Sequence, residues 1–97
     1  MASEQDLEAT VSADLDTRRR RAVWRANHRG TKELDILVGR YAEAQLPAMR
    51  RPELDLFEEF LAVTDPDLQR WLLTPGSVAD DKYADLVVAV RRFHGLS

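Results

Sequence analysis

The sequence predicts an all-α protein, a small five-helix bundle, and three features of its 97 residues carry that expectation. Apolar residues recur at helical spacing almost throughout, no stretch sustains the alternation of a half-buried strand, and Gly30, Pro47, Pro52, Pro66 and Gly76 punctuate the pattern. A chain of this length makes one domain, and no apolar run approaches the roughly 20 residues needed to span a bilayer. With 44% hydrophobic and 32% charged residues the composition is that of a soluble globular protein. There is no cysteine, which excludes a disulfide framework, a thiol nucleophile and a thiolate-bound metal.

Charge divides the N-terminal third. Residues 1–16 carry Glu4, Asp6, Glu8, Asp14 and Asp16 without a base, and the next sixteen carry Arg18, Arg19, Arg20, Arg21, Arg25, Arg29 and Lys32 without an acid. The first stretch has little to bury and is expected to be a disordered acidic tail, leaving 17–97 as a single helical domain. A transit peptide would be Arg-rich and poor in acids, and a secretory signal would need an apolar core. Neither pattern is present, which points to a bacterial cytoplasmic protein or to a mature form already processed; the first is expected, because Met1 is present.

The first helix is predicted from about Leu15 to His28, with Leu15, Ala22, Val23 and Ala26 on one side. Gly30 ends it, because glycine enters the left-handed conformation of a C-cap without a Cβ penalty. A second helix starts near Thr31 and stacks Leu34, Leu37, Val38 and Tyr41 at core spacing, until Pro47 closes it. Pro52 suits the first turn of a third, where its missing N–H is no loss, and Leu54, Phe57, Phe60 and Leu61 form the inner face. In TDPDLQRWLL, Asp65 reads as N-cap, Pro66 as the first helical residue and Asp67 as favourable to the helix dipole, with Leu68, Trp71 and Leu72 turned inward. Thr74, Pro75 and Gly76 break this short helix. A fifth runs from about Asp80 to Phe93 on Tyr83, Leu86, Val87 and Val90. Leu37, Tyr41, Phe57, Phe60, Leu68, Trp71, Leu86 and Val90 should be largely buried.

Catalytic chemistry is not visible in this pattern. There is no glycine-rich phosphate loop, no dinucleotide fingerprint and no histidine pair spaced for a metal, so no catalytic, cofactor-binding or metal-binding residue is assigned. His28 beside Glu33 could be imagined as a general base, but His28 and His94 each stand at a helix end, where a histidine interacts well with the dipole. Trp71 reads as core rather than as a flavin platform, whereas Trp24, beside Arg20, Arg21 and Arg25, reads as partly exposed. The arginines of the first helix admit an alternative, a small helical nucleic-acid-binding protein, against which stand the overall net charge of −3 and the ordinary reading of such a run as a solvated face.

The turn between the first two helices, HRGTKELD at residues 28–35, has an ordinary structural reading: Gly30 caps, Arg29 faces the negative end of one helix and Glu33 the positive end of the next. It also presents a cation, bare backbone and a carboxylate within a few residues. Arg29, Gly30 and Glu33, extended by Leu34 and Asp35, resemble the RGxxE signature of the SdhE family of succinate dehydrogenase assembly factors. Asp65-Pro66-Asp67-Leu68 followed by Trp71-Leu72 is similar to that family's DPDLxxWL segment, and the likeness covers about residues 17–94.

The resemblance implies a helical, non-enzymatic factor that docks on the flavoprotein subunit of succinate dehydrogenase, and in some bacteria of fumarate reductase, to promote covalent attachment of FAD. It implies partner contacts at Arg29, Gly30 and Glu33, with Lys32, Asp35 and Arg25 secondary. Arg29 and Glu33 are expected to project from one exposed face. FAD is expected to be carried by the partner, with none held stably by this chain, and no nucleic acid or membrane insertion is expected.

Overall fold

A computed structural model describes residues 4–74, 76–78 and 81–96, with side chains for the same residues except 4–13 and 81. Pro75 and Asp80, named above as a breaker and a helix start, lie outside the described residues. Among those described there are five α-helices, one 3₁₀ turn and no strand: α1 Glu4–Asn27, α2 Lys32–Gln45, the 3₁₀ turn Leu46–Ala48, α3 Arg51–Leu61, α4 Asp65–Leu73 and α5 Asp81–Phe93. The all-α expectation is met.

Two helix starts differ from the sequence reading. The helical backbone of α1 begins at Glu4 rather than near Leu15. No glycine or proline interrupts residues 4–16, and acidic side chains near a helix N-terminus favour its dipole, so composition alone underestimated the reach of the helix. The N-cap of α4 is Thr64, and Asp65 is already helical. The Asp65 carboxylate is held instead by Arg29, at 2.7 Å from Nη2, so a tertiary partner has displaced the local capping role.

Each remaining helix buries the stripe assigned to it, apart from Trp71 and Tyr83, which are half-buried. Leu34, Val38 and Ala42 of α2 are inaccessible, as are Leu54, Phe57 and Phe60 of α3 and Leu68 and Leu72 of α4, while Val87 and Val90 close the core from α5. Aromatic rings run through this core in sequence. Tyr41 touches Phe93 edge-on and Phe57 by stacking, Phe57 meets Phe60, and Phe60 leads through Tyr83 to Trp71, with centroid separations of 5.7–6.0 Å. Burial, and secondarily Glu53, pushes the Tyr41 hydroxyl up from its ordinary value, so it sits in the core uncharged.

Trp71 is half-buried rather than largely buried. Its indole stacks on Tyr83 at 5.8 Å, and α4 packs chiefly on α2 and α5, which leaves the ring partly open to solvent.

α1 packs most extensively on α2, and Gly39 lets the two backbones approach at Asn27. A Cβ there would lie 3.3 Å from the Asn27 Cα and 2.9 Å from its Cγ. Asn27 uses the space, donating from Nδ2 to the Val23 carbonyl at 3.0 Å and to Glu43 at 3.2 Å. A glycine inside a helix costs about 1 kcal/mol relative to alanine, which here is offset by close packing. On the far side, Arg18 joins α1 to α3 through Asp55 and Glu58, hydrogen bonds that hold its pKa above the ordinary value.

Candidate functional site

The α1–α2 turn is built by backbone conformation first. Gly30 adopts φ 108°, a left-handed conformation that side chains resist. Thr31 then caps α2, its Oγ1 accepting from the Leu34 N–H at 3.2 Å. The Arg29 N–H is bound by Asp35 Oδ1 at 2.5 Å, so the carboxylate of Asp35 reaches back across the turn and fixes the direction in which Arg29 leaves it.

Arg29 points into the protein. Its side chain is 11% exposed, with Nε and Nη2 donating to Asp65 Oδ1 at 3.0 and 2.7 Å, Nη2 also to the Val63 carbonyl at 2.7 Å, and Nη1 to the Leu61 carbonyl. The Leu61 carbonyl belongs to the last turn of α3, where acceptors lack intrahelical donors, and Asp65 opens α4. One planar guanidinium thus ties the α1–α2 turn to the α3–α4 turn, a task suited to its fork of donors. This corrects the expectation that Arg29 projects from the surface beside Glu33: the unsatisfied carbonyls and the Asp65 carboxylate draw it inward.

What remains exposed is different. Glu33 stands in the first turn of α2, open to solvent, and its one described hydrogen bond is from Gln69 Nε2 to Oε2 at 3.4 Å. Gly30 is exposed, and a Cβ on it would lie 3.5 Å from Asp65 Oδ2. Lys32 and Arg25 are also exposed, and neither pairs with a described carboxylate. Asp35 is half-buried behind the turn. The structure therefore brings Gly30, Lys32 and Glu33 to the surface, places Arg29 and Asp35 beneath them, and sets Arg25 on α1 nearby in sequence.

Two participants were missed by the sequence reading. Asp65, read from the sequence as a cap, binds Arg29, and Gln69, which no local feature singles out, binds Glu33. The available signal was that both lie in the second motif, so the two motifs are parts of one surface. The histidines are otherwise engaged: His28 Nδ1 lies 2.7 Å from the Trp24 carbonyl and His94 Nε2 2.7 Å from that of Leu37. Among the described residues no group of three or more His, Asp or Glu is placed to hold a metal, and no helix is long and apolar enough to cross a membrane.

A compact helical domain that joins two motifs on one polar surface defines a class of small all-α proteins, and comparison with known proteins gives its family. Residues 20–94 match the family described as flavinator of succinate dehydrogenase, and the chain belongs to that family. It is similar to the FAD assembly factor SdhE of Acetobacter pasteurianus, 42% identical over 71 residues that cover 73% of this chain and 65% of that one. Mitochondrial succinate dehydrogenase assembly factor 2 of Komagataella phaffii is 36% identical over 56 residues, covering 58% of this chain and 30% of the relative. Its counterpart in Yarrowia lipolytica is 34% identical over 58 residues, covering 60% and 40%. The aligned part spans less than two thirds of each relative's length. The family resemblance drawn from the two motifs is borne out.

Proposed function

We propose that this chain is a succinate dehydrogenase assembly factor that docks on the flavoprotein subunit and promotes covalent attachment of FAD to it, in the bacterial cytoplasm. The observation that supports this most is that the family match encloses both motifs, which share one surface through Arg29–Asp65 and Glu33–Gln69. Glu33, Lys32 and the bare backbone at Gly30 make the contact, with Arg25 at its edge. Arg29 and Asp35 hold that contact surface in shape.

The chain supplies no nucleophile or base and holds no FAD of its own. Its effect is conformational: a factor that binds one form of the flavoprotein more tightly shifts the population toward that form by the ratio of the two affinities. Binding the form in which FAD and its acceptor side chain are aligned accelerates attachment without a catalytic group from the factor. In bacteria that make fumarate reductase, its flavoprotein is a second client.

Affinity purification of the tagged chain from its source cells tests the partner. The flavoprotein subunit of succinate dehydrogenase, identified by mass spectrometry, should co-purify in amounts that fall with Glu33→Ala. Recovery of nucleic acid in its place would reverse the assignment.

A further inference from the structure

We propose that the outer face of α1, Trp24 framed by Arg20, Arg21 and Arg25, is a second docking face that fits an acidic protein surface with an apolar recess. The proposal rests on the reading that the client is the flavoprotein subunit, and it adds to that reading where and by what chemistry a second contact is made.

The face is set by helix geometry. At 3.6 residues per turn, Arg20, Arg21, Trp24, Arg25 and His28 fall within an arc of about 140°, centred opposite the stripe of Ala22 and Ala26 that packs into the core. Ala22 and Ala26 are 1% and 0% exposed, whereas Trp24 is 63% exposed.

Of the twelve arginines, five are held within the fold and seven are exposed without a described carboxylate, three of these seven gathered around Trp24. Arg18, Arg19, Arg29, Arg70 and Arg91 are all engaged by carboxylates or carbonyls within the fold. Arg20, Arg21 and Arg25 are exposed and reach no described carboxylate. Asp16 and Glu43 border a shallow cleft with Arg20, but Asp16 binds Arg19 and Glu43 accepts from Asn27. Positive charge is thus left unneutralised around a large exposed ring.

That ring is held in place. The Trp24 indole stacks on the His28 imidazole at 4.1 Å and 14°, and His28 is itself fixed by its contact with the Trp24 carbonyl. A rigid tryptophan ringed by arginines has the composition that dominates binding energy at protein interfaces, and its order before binding lowers the entropy lost on docking. The chain as a whole carries −3, so any attraction for acids is local, and a patch of this size suits a local acidic protein surface better than a long polyanion. α1 runs directly into the Arg29–Gly30 turn, so the face continues the surface assigned to the client.

The test measures binding of the purified chain to the recombinant flavoprotein subunit across a salt series. Trp24→Ala should weaken binding at least about tenfold. The triple variant R20Q/R21Q/R25Q should slow association and largely remove its dependence on salt, with circular dichroism unchanged in both. Wild-type affinity in both variants, with Glu33→Ala still weakened, would overturn the second face and leave the proposed function intact. Failure of the wild-type chain to bind the flavoprotein would overturn both. Tighter binding to a short DNA duplex than to the flavoprotein, lost in the triple variant, would overturn the protein partner for this face.

Discussion

Arg29→Ala is expected to lose about 2–4 kcal/mol of folding stability, more than a surface arginine could account for. The substitution leaves the Asp65 carboxylate without its cation and the Leu61 and Val63 carbonyls without their donor. Hydrogen bonds to charged groups are worth about 1.5–3 kcal/mol each when well buried; Asp65 is 30% exposed, so water recovers part of the loss. For a domain of this size the melting temperature should fall by about 10–20 °C. Arg29→Lys should restore little, since an ammonium cannot bridge a carboxylate and two carbonyls at once. Asp65→Asn should cost less than Arg29→Ala, because the amide oxygen still accepts. Thermal melts of the three variants check this order, and an Arg29→Ala melt close to that of the wild type would show that the two turns are held together by something else.

Glu33→Ala should do the reverse: leave the fold alone and abolish flavin attachment. The carboxylate is exposed, with one long contact to Gln69, so the folded protein loses at most the interaction of an acid with the helix dipole, about 0.3–1 kcal/mol. At an interface the same carboxylate would make charge-assisted bonds whose loss costs about 2 kcal/mol or more, roughly thirtyfold in affinity. The variant is made in cells lacking the native factor, together with the flavoprotein, and scored by fluorescence of covalent flavin on a denaturing gel, with circular dichroism to confirm folding. A folded variant that gives wild-type covalent flavin would return Glu33 to the role of ordinary helix architecture. Arg29→Ala and Glu33→Ala are thus separable, one acting through stability and the other through contact.

The parts of the fold legible in the sequence are those governed by local periodicity. Leu34, Val38 and Tyr41, or Phe57, Phe60 and Leu61, announce buried faces because spacing along a helix dictates which side chains share a side. The direction of Arg29 could not be read in this way. It depends on Leu61, Val63 and Asp65, more than thirty residues away in the chain, and nothing local distinguishes an arginine that caps its own helix from one that caps another. The same long-range pair explains the misplaced N-cap of α4, where Asp65 has every local attribute of a cap but a stronger partner elsewhere. Trp24 was legible in part: its arginine neighbours suggested exposure, while the His28 stack that fixes it is an i, i+4 contact that spacing permits without requiring. The two motifs mark the candidate site residues. They did not reveal which of their residues face outward, and the structure divides them into Gly30, Lys32 and Glu33 at the surface and Arg29, Asp35 and Asp65 below.

The proposed role of this chain is to promote covalent flavin attachment to the flavoprotein subunit while contributing no reacting group. It is tested most directly by measuring covalent flavin on that subunit, produced in cells lacking the native factor, with and without this chain and at equal flavoprotein levels. A strong fluorescent flavoprotein band on a denaturing gel is expected with the chain, and a faint one without it. Equal bands in the two cases would contradict it.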